Sequence, residues 1–292
     1  MFAKSYWYDR IWSIATPHAG RRSAYSFIKS ASSEPTYRAS ANADHRRERV
    51  LCVCAEDLFS QAVPMTTFIE WMAACQRSPS LDKLVVIQKP DAVENRLREA
   101  AGYLSRRSSI KVSPLRDWVA SWLEGHPPLE MWLGLSLHRQ SDANHYVSQL
   151  LTAPAAHRFL VFDPLLGPLS LTHLPPISDK AACCEQLRLD ALLGQVVCDV
   201  SEQVSFHQSR IELVIAGGSG CATDPPTHPV WLRALRNECM LAHVDFAFTG
   251  WGSWAPVAHS AHAADDDFCF EDGTRMRRLS ASENTAQASA FR

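Results

Sequence analysis

The chain has 292 residues, with 29 Lys and Arg against 31 Asp and Glu, a formal net charge of −2 and an apolar fraction of 46%. That balance fits a globular protein with one large core or two modest ones, and it excludes collagen-like, coiled-coil and wholly disordered chains. No stretch approaches the roughly 18 uninterrupted apolar residues of a membrane-spanning helix, and near-neutral charge excludes a general basic coat for wrapping nucleic acid.

The first 48 residues read as a divergent basic arm. Between Met1 and Ser33, Lys4, Arg10, Arg21, Arg22 and Lys29 face a single acid, Asp9, amid many serines and alanines. Such a start has the composition of an organelle transit peptide, so an intracellular protein, cytoplasmic or mitochondrial, is expected. Arg21, Arg22, Arg38, Arg46, Arg47 and Arg49 make the arm a candidate contact surface for an acidic partner, a ribonucleoprotein or nucleic acid.

A strand is predicted near Ile11 to Ala15, and Arg49 to Ala55 reads as a buried strand. Met65 to Cys75 then places Met65, Phe68, Ile69, Met72 and Cys75 on one helical face. Leu84 to Ile87 is the next strand, followed by a helix from Asp91 carrying Val93, Leu97, Ala101 and Leu104. An insertion at about 105–128 holds one helix, Pro114 to Leu123. Met131 to Leu137 (MWLGLSL) is a strand, Asp142 to Leu151 a helix and His157 to Phe162 a strand. A second insertion, at about 175–208, is predicted to hold a helix near Ala181 to Val200. Ile211 to Ala216, the helix His228 to Leu241 and the strand Val244 to Phe248 complete the domain at 49–256. Residues 257–292 form a C-terminal extension, partly disordered, with a polar tail from Leu279.

Repeated strand–helix units with near-continuous apolar strands predict an α/β fold, a parallel sheet buried on both faces. A β/α barrel with helical insertions fits the count, and chemistry is then sought at the C-terminal strand ends. Nine cysteines, from Cys52 to Cys269, include no C-x-x-C and no zinc-ribbon spacing. They are expected as reduced small hydrophobes, and no metal site is expected. At the strand ends, Glu56 and Asp57 are candidates for acid–base work or for capping a loop. Lys89 would meet an anionic cofactor group or stand in solvent, and Asp163 would hydrogen-bond a neighbouring strand end or act in catalysis. Gly217, Gly218, Ser219 and Gly220 would cradle a phosphate or carboxylate through backbone N–H groups, or simply allow a turn.

Taken in order, MWLGLS, DPLLGP, the Gly217-Gly218-Ser219-Gly220 turn, HPVWLRALRNEC and WGSWAPV resemble the phage and mobile-element family of three-cysteine, radical-SAM-like proteins, a domain of unknown function. The resemblance spans about Val50 to Pro256. It implies a radical-SAM-like, TIM-type barrel, partial or closed. It also implies an N-terminal loop reading W-N-P, G-C and G-C-x-x-C-Y, whose thiolates hold a [4Fe–4S] cluster with one iron open to S-adenosylmethionine.

Here Trp12 resembles the motif tryptophan and Gly20-Arg21-Arg22-Ser23-Ala24-Tyr25 resembles G-C-x-x-C-Y, so Arg21 and Ala24 stand at cysteine positions. Arginine and alanine cannot ligate iron. The family's G-G-E-S-G lacks its glutamate, its arginine-proline is Asp224-Pro225, its lysine-glutamine is Thr249-Gly250, and its Glu before P-L-L-G-P is Asp163. Gly217, Gly218, Ser219, Gly220, Asp163 and Lys89 would then be a vestigial S-adenosylmethionine pocket. These departures lead to the expectation of a pseudoenzyme without cofactor, a binding or structural subunit of a larger assembly that includes RNA or other proteins. The alternative is an active S-adenosylmethionine-dependent enzyme with its [4Fe–4S] cluster.

Overall fold

A computed structural model describes residues 8–14, 28–29, 47–54, 56–107, 114–176, 187–198, 204–206, 209–221, 223–257, 267–280 and 283. Its main feature is an α/β fold with a large, mostly parallel sheet of eight strands flanked by helices. The chain divides into two compact units. One comprises Tyr8–Leu135 and Thr152–Arg158, and the other Ser136–Leu151 and the residues from Phe159 onward.

In the first unit, β1 (Arg10–Ile14) runs antiparallel to β2 (Ile28–Lys29) and parallel to β3 (Glu48–Cys54), which pairs parallel with β4 (Leu81–Ile87) and through it with β5 (Met131–Ser136). Parallel neighbours require crossovers. α1 (Met65–Gln76) links β3 to β4, while α2 (Ala92–Arg107) and α3 (Pro114–Leu123) link β4 to β5. The apolar face expected on α1 is buried through Phe68, Met72 and Cys75, joined by Trp71 and Thr67. Phe59, Phe68 and Trp71 meet at ring-centroid distances of 5.4 to 6.0 Å, and the Arg96 guanidinium covers Phe68 at 5.3 Å. In α3, Trp122 is fully buried and its indole N–H donates to the Pro154 carbonyl at 2.6 Å.

Two sequence candidates are spent on this framework. Arg49 is buried rather than displayed on an arm, because its guanidinium lies 4.9 Å above the Trp132 ring, and Trp132 in turn stacks on His157 at 4.5 Å. Asp57 is buried too. Its carboxylate accepts the Phe59 N–H at 2.9 Å and the Gln88 N–H at 2.7 Å, with the Lys89 N–H at 3.4 Å, so it ties the loop after β3 to the end of β4. Of the two readings of Asp57, this geometry is the loop cap. Removing the acceptor leaves buried donors unsatisfied. Asp57→Ala is expected to cost about 2–4 kcal/mol in urea unfolding, and Asp57→Asn, which keeps one carbonyl acceptor, clearly less. A change below about 0.5 kcal/mol for the alanine variant would refute the capping role.

The second unit carries β6 (His157–Phe162), β10 (Leu213–Ala216) and β11 (Asp245–Phe248), with β10 parallel to both others, and the helices α4 (Gln140–Thr152) and α5 (Pro229–Leu241). Two small antiparallel sheets accompany them. One is β7 (Leu187–Asp190), β8 (Gln195–Cys198) and β9 (Val204–Phe206), and the other is β12 (Trp254–Pro256), β14 (Arg275–Arg278) and β13 (Phe268–Cys269).

The first of these sheets corrects the sequence reading. The helix expected over Ala181 to Val200 is, within its described part, the β7–β8 hairpin. Asp190 turns the chain by accepting the Leu192 and Leu193 N–H groups at 3.0 and 2.9 Å, an Asx geometry that competes with a helix. The C-terminal extension holds β13 and β14, two strands the sequence reading did not assign. Met276 is fully buried, and Trp254, Phe268, Phe270, Trp231 and His228 form a chain of aromatic contacts between β12, β13 and α5.

Candidate functional site

The second unit gathers four chain segments that follow the sheet strands: Leu137-His138 after β5, Asp163-Pro164 after β6, Gly217 to Gly220 after β10 and Thr249 to Gly252 after β11. Backbone hydrogen bonds knit them together. Leu166 N–H donates to His138 O, Leu165 N–H to Gly217 O, Gly218 N–H to Gly250 O and Ser253 N–H to Ser219 O, all at 2.8–2.9 Å. Asp163, Gly217, Gly218, Ser219 and Gly220, singled out in the sequence, therefore come together on one rim.

What the glycines do there differs from an open cradle. The Gly217 N–H is spent on Phe162 O at 3.0 Å and that of Gly218 on Gly250 O at 2.9 Å, so neither is offered to an anion. A Cβ on Gly217 would fall 1.8 Å from Thr249 Oγ1, and one on Gly218 would fall 2.3 Å from the Trp251 carbonyl oxygen. The absent side chains make room for the neighbouring loop. Ser219 points its hydroxyl to the Asp224 carboxylate and also accepts the Cys221 N–H at 3.0 Å. Buried Thr227 donates to Leu165 O at 2.8 Å and sits 3.2 Å from Gly217 O.

Three side chains at the rim keep chemical capacity. Asp163 is an exposed residue, yet desolvation by the surrounding strand ends pushes its carboxyl up from the ordinary range, against a hydrogen bond from Thr249 and the nearby His138. His138 Nδ1 lies 3.0 Å from the Pro164 carbonyl. A carbonyl only accepts, so Nδ1 donates to it and the ring turns Nε2 away from this bond. Cys221 is exposed, and its 3.0 Å contact with Thr223 Oγ1 pulls its thiol down from the usual value.

Sequence reasoning missed His138, Thr227 and Ser253. The signal for His138 was available, a polar ring two residues beyond the end of an apolar strand. Thr227 and Ser253 carried none, since their partners lie 10 to 62 residues away along the chain. Lys89 belongs to the first unit and is exposed. Arg47, also there, lies 3.6 Å from Asp82. Arg21, Arg22, Arg38 and Arg46 lie outside the described residues, as do Ala24, Cys183, Cys184, His259 and His262.

Among the described residues no three of His, Cys, Asp and Glu group as a metal site. Burial pushes the Cys52 and Cys239 thiols up to about 12 and that of Cys75 well above its usual value, which opposes the thiolate form that iron needs. No helix is long and apolar enough to cross a membrane among the described residues.

No curated protein and no solved structure matches the chain. The model of a family described as a protein of unknown function (DUF5131) matches residues 5–287, nearly the whole length, and the chain belongs to that family.

Proposed function

We propose that the protein is a non-catalytic, radical-SAM-like pseudoenzyme that works as a binding or structural subunit of a larger assembly. The observation that carries this reading is the closure of the strand-end rim on itself. Gly217 and Gly218 spend their N–H groups on Phe162 and Gly250, Ser219 is paired with Asp224, and Thr227 is buried on two backbone carbonyls. A rim whose donors satisfy its own backbone holds loops in place and has little left to bind the developing charges of a reaction. Arg21 and Ala24, standing where the resembling family has cluster cysteines, support the same reading. Arg21, Arg22, Arg46 and Arg47 of the N-terminal arm would contribute to assembly. Arg49 drops out of that set because it is buried.

Anaerobic reconstitution with iron and sulfide tests this. Well under one iron per chain is expected, and about four irons with thiolate-to-iron absorption would overturn it. A second reading, an S-adenosylmethionine-dependent enzyme, is favoured by His138 and Asp163. In that reading the His138 Nε2 and the desolvated Asp163 carboxyl would hydrogen-bond the polar end of the bound molecule. Equilibrium dialysis with S-adenosylmethionine separates the two. Retention that Asp163→Asn and His138→Phe abolish would establish the second reading.

A further inference from the structure

We propose that the outer face of α5 is a docking surface for an acidic amphipathic helix of a partner protein. The helix buries Leu232, Leu235 and Cys239. Its opposite side places Val230, Ala234, Asn237 and Leu241 at i, i+4, i+7 and i+11, which is the a/d spacing of a coiled-coil seam. All four are exposed. Val230 is 49% accessible and Leu241 84%, while Met240 beside the seam is 63% accessible. A surface helix ordinarily turns such a stripe inward, and α5 already has an inward one.

The charge on this face decides the occupant. Arg233 and Arg236 are exposed beside the seam. Among the described residues Arg233 makes no ion pair, and the Arg236 guanidinium reaches only the Asn237 side-chain oxygen, at 3.3 Å. The one carboxylate of α5, Glu238, is turned away to accept the Leu171 N–H at 2.9 Å. The seam is thus Val230, Ala234 and Leu241 around the polar Asn237, with two guanidiniums to one side and the Glu238 carboxylate engaged with Leu171. A helix carrying leucines in register and glutamates at the flanking positions complements it in both respects. A second copy of this chain does not, since pairing two α5 helices would gather four guanidiniums with no carboxylate among them. Nucleic acid would use the arginines but leave three apolar side chains uncovered. The thirteen residues of α5 span about 20 Å, enough for three turns of a partner helix.

This surface gives the subunit reading a place to act and rests on that reading for its biological meaning only. Iron uptake by the chain would defeat the pseudoenzyme reading without changing what α5 binds. The test uses the full chain and a fluorescein-labelled peptide of about 18 residues, long enough to hold a helix, with leucine at a and d and glutamate at e and g. Its counterpart carries lysine at e and g. Fluorescence anisotropy is expected to give about tenfold tighter binding of the glutamate peptide at low salt, shrinking as salt rises. Arg233→Glu with Arg236→Glu should invert the preference, and Met240→Ser with Leu241→Ser should weaken both peptides, with circular dichroism unchanged in each variant. Absence of binding, or equal binding of the two peptides, would overturn the proposal. So would displacement of the peptide by single-stranded RNA at lower concentration than by unlabelled peptide, or a dimer in ultracentrifugation that Arg233→Glu with Arg236→Glu strengthens.

Discussion

Gly218→Ala is expected to lose about 3 kcal/mol of stability, while Gly220→Ala, two residues on, should leave stability within about 0.5 kcal/mol of the parent. A Cβ on Gly218 would lie 2.3 Å from the Trp251 oxygen and 2.7 Å from its carbonyl carbon, whereas one on Gly220 meets nothing within 4 Å. Trp251 backbone has no rotamer through which to retreat, so the loops after β10 and β11 must separate. Separation strains the Gly218 to Gly250 hydrogen bond and that from Ser253 N–H to Ser219 O. Gly252→Ala should be at least as costly. Its Cβ would fall 2.0 Å from the Ser219 oxygen, and its φ of +69° adds a left-handed backbone that alanine adopts at a cost of about 1–2 kcal/mol. By thermal unfolding the Gly218 change corresponds to a fall of roughly 6–12 °C for a unit of this size. Equal melting temperatures for Gly218→Ala and Gly220→Ala would mean that the two loops are not in contact as described. The same pair of variants bears on function. If the rim is architecture, both keep whatever partner binding the folded chain has.

The parallel strands were legible because their residues announce them. MWLGLS and HRFLVF are apolar runs of strand length, and the helix at Pro229–Leu241 begins with a His-Pro pair in which His228 Nδ1 accepts the Val230 N–H at 3.0 Å. The β7–β8 hairpin was not, since Leu187, Leu189, Leu192 and Leu193 satisfy a helical period as easily as a strand period. Nor was β14, whose sequence RMRR buries only Met276 and carries no run of apolar or alternating residues to announce a strand. At the rim, Asp163 and the glycines were found from their position after apolar strands. The glycines' role was not readable, because it depends on a loop more than 30 residues away along the chain, and the same dipeptide serves an anion cradle or a backbone crossing. Asp57 shows the same ambiguity. A carboxylate at a strand end is a catalytic candidate until the Gln88 N–H is found on it.

The strongest departure from a sequence expectation is Lys83, and replacing it is expected to stabilise the protein. β4 begins three residues before the apolar run that announced it, and so takes in Asp82 and Lys83. Lys83 is fully buried, with its amine donating to the Ser78 carbonyl and with Cys75, Glu130, Cys52 and Asp82 nearby. Burial pushes the amine down from its usual 10.5, and those neighbours only partly oppose it. A single carbonyl does not replace the water an ammonium loses, so Lys83→Met, similar in length and apolar, should raise stability by about 1–3 kcal/mol at neutral pH. The pH dependence follows from proton counts. Between the lowered native value and 10.5 the unfolded chain holds more protons than the native one, so this group makes parent stability rise with pH across that window. Below the native value both states are protonated and its penalty is full. Cys52, raised to about 12, and Cys75 act in the opposite direction above about pH 9. They remain in the methionine variant, but the Lys83 charge is one of the groups that pulls both thiols down, so the difference between the two proteins reports the lysine alone only below about pH 9. Urea unfolding at intervals from about pH 6 to about pH 10 should show the advantage of Lys83→Met largest at the acid end and narrowing as pH rises. A methionine variant less stable than the parent at every pH would mean that the bond to Ser78 outweighs the desolvation of the amine.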